Sequence, residues 1–273
     1  MTEAEMQALA AEVLDYFIEV MPDAPFSAED IVIEFAPKNK MVERYKALAE
    51  KYKPTMQLTA GREYELANSI VGNALIGRGK SAVLMLLDLK CSKTQLKHDV
   101  FHELSHIFCG KLENSESYID VYGDGTTGTD NPDNTMEDGI INAGYCVWSE
   151  FIAEYFALKF TKSKYKLAEM TQYICELLGD AVPENQLHAK PPFAYACAYF
   201  LNATDVVEEF ADLSEEHDDS AEGTAFYSCL GILYKQIQKE KPWEISEEFI
   251  QELGSKYLMY LTALSIKQIA DLD

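Results

Sequence analysis

The feature that most restricts the fold of this chain is the run His-Glu-Leu-Ser-His at residues 102–106, which lies inside an apolar segment. Residues four apart are on the same face of an α-helix, so the imidazoles of His102 and His106 can reach one tetrahedral metal ion. Glu103 then lies beside that metal, where its carboxylate can take a proton from a metal-bound water. The run therefore predicts a helix that carries a hydrolytic metal site.

The residues around the run favour one long helix. Ser92-x-x-Gln95 is typical of a capping box, and Gly110 is typical of a C-terminal stop, so the predicted helix covers residues 93–109. Its apolar stripe has the spacing of a buried helix face and consists of Leu96, Val100, Leu104 and Ile107. His98 is about 12 Å from His106 along the axis, because each residue rises about 1.5 Å. We therefore assign His98 to the support of a ligand or to the surface.

Charge restricts the possible partners. The 273 residues include 46 acidic and 23 basic ones, which gives a net charge of −23. This charge repels phosphate backbones and anionic membrane surfaces, so we expect neither a nucleic acid nor a membrane as partner. The first residues do not resemble a signal peptide, and the chain has no apolar run of about 18 residues. We expect a cytoplasmic protein.

Six cysteines are scattered without a C-x-x-C pair, as expected of reduced thiols. Cys109 and Cys146 flank the predicted site, so a thiolate ligand is an alternative to the histidines, although the histidines have the better geometry.

Hydrophobic periodicity predicts the order of the remaining elements. Helices are predicted at 3–20, 41–52 and 63–71, and strands at 31–35, 56–59 and 82–87. Gly72, Gly77 and Gly79 indicate a turn before the last strand. Helices are also predicted at 142–160, 163–179, 192–211, 224–239 and 246–264. We predict a domain over residues 1–160 and a helical subdomain over residues 161–273.

Between residues 112 and 139 the composition changes to Gly, Thr, Asn, Asp and Pro, which predicts a long irregular loop. A loop of this length in a compact domain is usually functional or disordered. Because it connects the two predicted metal-bearing helices, we expect it to border the cleft as a substrate-gated lid.

The third metal ligand has to come from outside the run. A catalytic zinc usually has three protein ligands and one open position. Glu150 and Glu154 are four residues apart and hence on one face of the predicted helix 142–160. Either carboxylate could bind the metal while the other orients a histidine.

With these residues the chain resembles the gluzincin class of zincin metallopeptidases. More narrowly, residues 82–160 are similar to the ImmA/IrrE type of metallo-endopeptidase. The resemblance implies that His102, His106 and Glu150 bind zinc and that Glu154 supports a zinc-bound histidine. It also implies an α+β fold whose zincin-like core combines a small sheet, the His-Glu-x-x-His helix and a second ligand helix, followed by a mostly helical C-terminal part.

The expected function is zinc-dependent hydrolysis of peptide bonds in a protein or peptide substrate, with one Zn²⁺ per chain and Glu103 as general base. One alternative is a zincin-like regulatory or interaction module that keeps the metal and has lost turnover. Another is an ordinary helix whose histidines bind no metal. Four residues could stabilise the oxyanion, and the sequence does not distinguish them: Tyr118, Tyr145, Tyr155 and His188.

Overall fold

The computed structural model describes residues 1–21, 23–53, 60–68, 71–112, 135–161, 178, 190–203 and 220–270. Their architecture is α+β, with helices predominating over a three-stranded mixed sheet, as predicted. The chain divides into two compact units, Met1–Glu116 and Ser117–Asp273. The functional domain boundary at residue 160 stays a prediction.

The first unit contains the sheet. Its elements are α1 (Glu3–Val20), β1 (Ile31–Ala36), α2 (Met41–Tyr52), α3 (Ala60–Asn68), β2 (Gly72–Leu75), β3 (Ser81–Leu86) and α4 (Lys93–Lys111). β3 is the central strand, parallel to β1 and antiparallel to β2. Because β3 is covered on both faces, it consists almost entirely of buried residues and lacks the alternation of a half-exposed strand.

Different helices cover the two faces of this sheet. Leu75, Ala82 and Leu84 lie in one hydrophobic cluster with Tyr45 and other residues of α2 and α3. α4 packs against β2, β3 and α1. The rings of Phe17 on α1 and Phe101 on α4 are 4.7 Å apart between centroids, which anchors α4 in the core.

The second unit, within the described residues, is helical. Its helices are α5 (Met136–Thr161), α6 (Lys190–Ala203), α7 (Ala221–Ile237) and α8 (Glu247–Ala270). α5 packs against α6 and α8, and α7 packs against α8. Trp148 on α5 lies edge-on to Phe249 on α8, with 5.1 Å between the ring centroids. Among the described helices, none has the combined length and apolar character that a membrane crossing needs.

Several predicted boundaries were wrong. Gly72 begins a strand, β2, and does not belong to the turn. Gly110 does not stop α4, which continues to Lys111. Only half of the predicted capping box is observed, because Ser92 accepts the backbone N–H of Gln95 while the Gln95 side chain donates to Asp99. α5 also begins before residue 142.

Other predictions lie outside the described residues. They are the strand at 56–59, residues 69–70 of the helix at 63–71, most of the loop at 112–139, the helix at 163–179 apart from Leu178, and residues 204–211 of the helix at 192–211.

Candidate metal centre

The first part of the candidate centre is the middle of α4. Ser92 caps the helix by accepting the Gln95 N–H at 3.1 Å. The predicted stripe is buried throughout: Leu96, Val100, Leu104 and Ile107 are at most 2% exposed. This burial fixes the rotation of α4 about its axis and thereby the direction in which its two histidines point.

The imidazoles of His102 and His106 converge. Their Nε2 atoms are 3.1 Å apart, and the ring planes are 77° from each other. Two nitrogens at about 2.05 Å from one tetrahedral ion would be about 3.3 Å apart. His102 is only 8% exposed and His106 is half-buried. The pair therefore has the spacing of two ligands of one metal ion.

Glu103 is the charged residue next to this pair, and it is only 9% exposed. Its carboxylate lies against the backbone of β2 at Gly72. A Cβ built at Gly72 would be 2.7 Å from Oε1 of Glu103 and 2.9 Å from its Cγ. The side chain thus lies between its own helix and the strand.

α5 carries the two acids that the sequence singled out. The helix is capped by Thr135, whose hydroxyl accepts the N–H of Asp138 at 3.1 Å, while the Asp138 carboxylate accepts the N–H of Thr135 at 2.8 Å. Glu150 is half-buried, and Glu154 is only 5% exposed. A carboxylate this deeply buried needs hydrogen-bond donors or a cation around it.

Tyr195 on α6 is a site residue that sequence analysis missed. Its hydroxyl donates a hydrogen bond to Oε2 of Glu150 at 2.9 Å. The two residues are 45 positions apart, and no motif links a tyrosine to an acid at that distance in the chain. Only the packing of α6 on α5 reveals the pair.

His102, His106 and Glu150 each offer one ligand atom, and these atoms all lie within 4.8 Å of one another. Among the described residues, no other group of His, Cys, Asp and Glu has three members this close. Glu154 and His98 are not in the group. The roles of all five residues stay predictions.

The alternative that a cysteine thiolate binds the metal has less support. Burial raises the pKa of the Cys109 thiol to about 12, and it also raises the pKa of Cys146. Metal binding requires the thiolate, which such a shift disfavours at neutral pH. Neither cysteine belongs to the group of converging ligand atoms.

Two of the four residues that could stabilise the oxyanion lie in the described part of the chain. Tyr145 is buried, and Tyr155 stacks on Phe151 at 5.8 Å between centroids. Burial raises the pKa of Tyr155, which keeps its hydroxyl protonated as a donor. Tyr118 and His188 lie outside the described residues.

Comparison with known proteins returns no significant match to any protein-family model, curated protein or solved structure.

Proposed function

We propose that this protein is a cytoplasmic zinc-dependent metallopeptidase of the gluzincin type, similar to the ImmA/IrrE metallo-endopeptidases. His102, His106 and Glu150 would hold one Zn²⁺, and Glu103 would act as general base. The observation that carries the proposal is the 3.1 Å separation of the two imidazole nitrogens beside a buried glutamate. The proximity of a ligand atom of Glu150 supports it further.

The donor set suits zinc. Two imidazole nitrogens and one carboxylate oxygen are a common ligand set of catalytic zinc, and three protein ligands leave a position open for substrate or water. Zinc held there would supply Lewis-acid polarisation of a peptide carbonyl and would make water more acidic. The mostly apolar surroundings of α4 limit competing solvent and strengthen each of these electrostatic effects.

Glu103 is assigned the proton transfers. Its carboxylate takes a proton from the attacking water and delivers it to the nitrogen of the departing amine, so that the peptide C–N bond breaks without expelling an unstable anion. It cannot easily serve as a third ligand, because it is adjacent in sequence to His102 and therefore about 100° away around the helix. Burial against β2 limits the number of conformations it can adopt.

Glu150 and Glu154 are assigned different roles. Glu150 is the ligand, and the hydroxyl of Tyr195 orients its carboxylate through Oε2. Glu154 accepts a hydrogen bond from the outer ring nitrogen of a ligand histidine, which fixes the tautomer of that ring. The group of converging ligand atoms includes Glu150 and omits Glu154, which supports this order.

The cytoplasmic assignment is supported by the cysteines. Within the part of the chain that the structure describes, five cysteines are free thiols: Cys91, Cys109, Cys146, Cys197 and Cys229. Free thiols are typical of reducing compartments, whereas proteins of oxidising compartments commonly pair them. The net charge of −23 supports a protein or peptide substrate over a nucleic acid or a membrane surface.

The proposal is tested by cleavage of unstructured proteins and of a mixed fluorogenic peptide library. We expect cleavage that stops on addition of a zinc chelator and returns when one equivalent of zinc is restored. Cleavage that is insensitive to chelation would overturn the zinc mechanism. Zinc bound at one equivalent without cleavage of any substrate would instead identify the alternative, a regulatory or interaction module that retains metal.

A further inference from the structure

Gly72 on β2 lies directly against the side chain of Glu103 on α4. We propose that Gly72 is a positioning residue: because it has no side chain, β2 can lie against Glu103 and hold the carboxylate in place. This inference rests on the proposed function, since it concerns the residue assigned as general base. It adds a strand residue that no motif in the sequence connects with the helix.

Strand geometry explains why position 72 matters. Gly72 pairs with Met85, and Asn73 pairs with Leu84. Successive residues of a strand face opposite sides, and Leu84 belongs to the cluster under α2 and α3. Gly72 therefore faces α4, on the same side as Met85. A Cβ built at Gly72 would lie 3.0 Å from Sδ of Met85 and still closer to Glu103.

The antiparallel pair of β2 and β3 also contacts α4 at a second place, near the C-terminal end of the helix. Nζ of Lys111, the last residue of the helix, donates to the carbonyl oxygens of Gly77 and Gly79 at 3.0 and 2.6 Å. These carbonyls belong to the turn between β2 and β3. The beginning of β2 is held by the hydrogen bond from Leu86 N to Val71 O, at 2.7 Å. The strand thus cannot withdraw from the helix without losing backbone and lysine hydrogen bonds.

These restraints decide what moves when a methyl group is added. The contacts of the added Cβ are with Glu103 and Met85 side-chain atoms, which rotate about single bonds, whereas the strand backbone is held by its ladder. Gly72→Ala should therefore displace the Glu103 carboxylate and leave the fold intact. A displacement of about 1 Å in a reacting group can reduce a rate about 10²-fold.

The first test compares Gly72→Ala with Gly79→Ala in the full-length zinc-loaded protein. For Gly72→Ala we expect kcat to fall about 10²-fold, while KM and zinc content stay unchanged, because Glu103 is not a ligand. A Cβ at Gly79 meets nothing within 4 Å, so the control should keep the wild-type kcat. Unchanged kcat in Gly72→Ala, or loss of its zinc, would overturn the inference.

A second test measures the contact without using activity. Gly72→Ala should lower Tm slightly in the wild-type background, and the shift should largely disappear in a Glu103→Ala background, where the obstructing side chain is gone. Equal shifts in both backgrounds would show that Gly72 does not act through Glu103. Absence of peptide cleavage by the wild-type protein would overturn the proposed function. The Tm comparison would still test whether Gly72 contacts Glu103, because it does not depend on activity.

Discussion

Gly144 on α5 and Gly254 on α8 lie opposite each other where the two helices cross. A Cβ built at Gly144 would be 2.0 Å from the carbonyl oxygen of Ile250, and one built at Gly254 would be 2.0 Å from that of Ile140. Both obstructing atoms are backbone atoms, which cannot rotate away. The two helix backbones are therefore in direct contact, and the helix that carries Glu150 is held by this crossing.

Gly144→Ala should accordingly destabilise the protein strongly, because the added methyl group forces the helices apart. Overpacking of a core costs about 1–3 kcal/mol, and a collision with backbone should reach the upper end. Gly231→Ala is the matched control, since a Cβ there meets nothing within 4 Å. In a helix interior that change should stabilise by about 0.5–1 kcal/mol. Chemical denaturation measures the free energy of unfolding of both variants. A change of the same sign in both would contradict the close contact between the two helix backbones.

The histidines are tested by metal content. Protein purified without chelator should carry close to one equivalent of zinc, and His102→Ala or His106→Ala should remove most of it, because two protein ligands hold zinc poorly. His98→Ala, on the same helix but outside the converging group, should retain the metal. Elemental analysis measures all four proteins. Full zinc occupancy in both ligand variants would rule out this site.

Glu103→Gln tests the general base. The amide is nearly isosteric and stays packed against Gly72, so fold and zinc content should not change. The rate of peptide hydrolysis should fall by about 10²–10⁴, the usual contribution of a general base. Steady-state kinetics on a peptide that the wild-type protein cleaves gives the comparison. A wild-type rate in this variant would eliminate Glu103 from the mechanism.

Glu150 and Glu154 are separated by their effects on zinc affinity. Removing a direct ligand should weaken binding more than removing a carboxylate that orients a ligand, a loss that typically costs about 10- to 100-fold. Glu150→Ala should thus bind zinc more weakly than Glu154→Ala. Competition with a chelator measures the zinc affinity of both variants. The pH is kept fixed because protonation of the ligands also changes zinc affinity. The opposite order would mean that the two roles are exchanged.

Tyr195→Phe removes only the hydroxyl that donates to Glu150. With one carboxylate oxygen no longer oriented, zinc affinity should fall about 10-fold, while the aromatic ring keeps its packing and the melting temperature changes little. Tyr64→Phe is the control, because Tyr64 is 67% exposed and belongs to α3. If both variants bind zinc as tightly as the wild type, the hydrogen bond from Tyr195 has no part in metal binding.

Much of the fold could be predicted because several elements have strong periodicity and clear ends. α1, α2, β3 and α4 were found within a few residues of their observed bounds. β2 was missed because Gly72-Asn73-Ala74-Leu75 has little strand propensity and is stabilised by pairing with β3, which no local pattern reveals. The early start of α5 could have been recognised, because Thr135-x-x-Asp138 has the spacing of a capping box.

Only part of the candidate site could be predicted from the sequence, for a related reason. His102, Glu103 and His106 follow a helical spacing and could be picked out directly from the sequence. Gly72 and Tyr195 contact Glu103 and Glu150 from other elements, over 31 and 45 residues of chain, and a glycine or a tyrosine alone has no distinguishing pattern. Residues that position others become visible only when packing is known.

The parallel pairing of β1 with β3 bears on how the first unit folds. Ile31 pairs with Ser81, and every later pair keeps this separation of about fifty residues. The entropy of closing so long a loop must be overcome before these contacts contribute any stability, and such pairings slow folding. We therefore expect sheet closure to limit the folding rate of this unit. Since α4 packs on β3, we expect the buried face of this helix to be covered only in the last stage of folding.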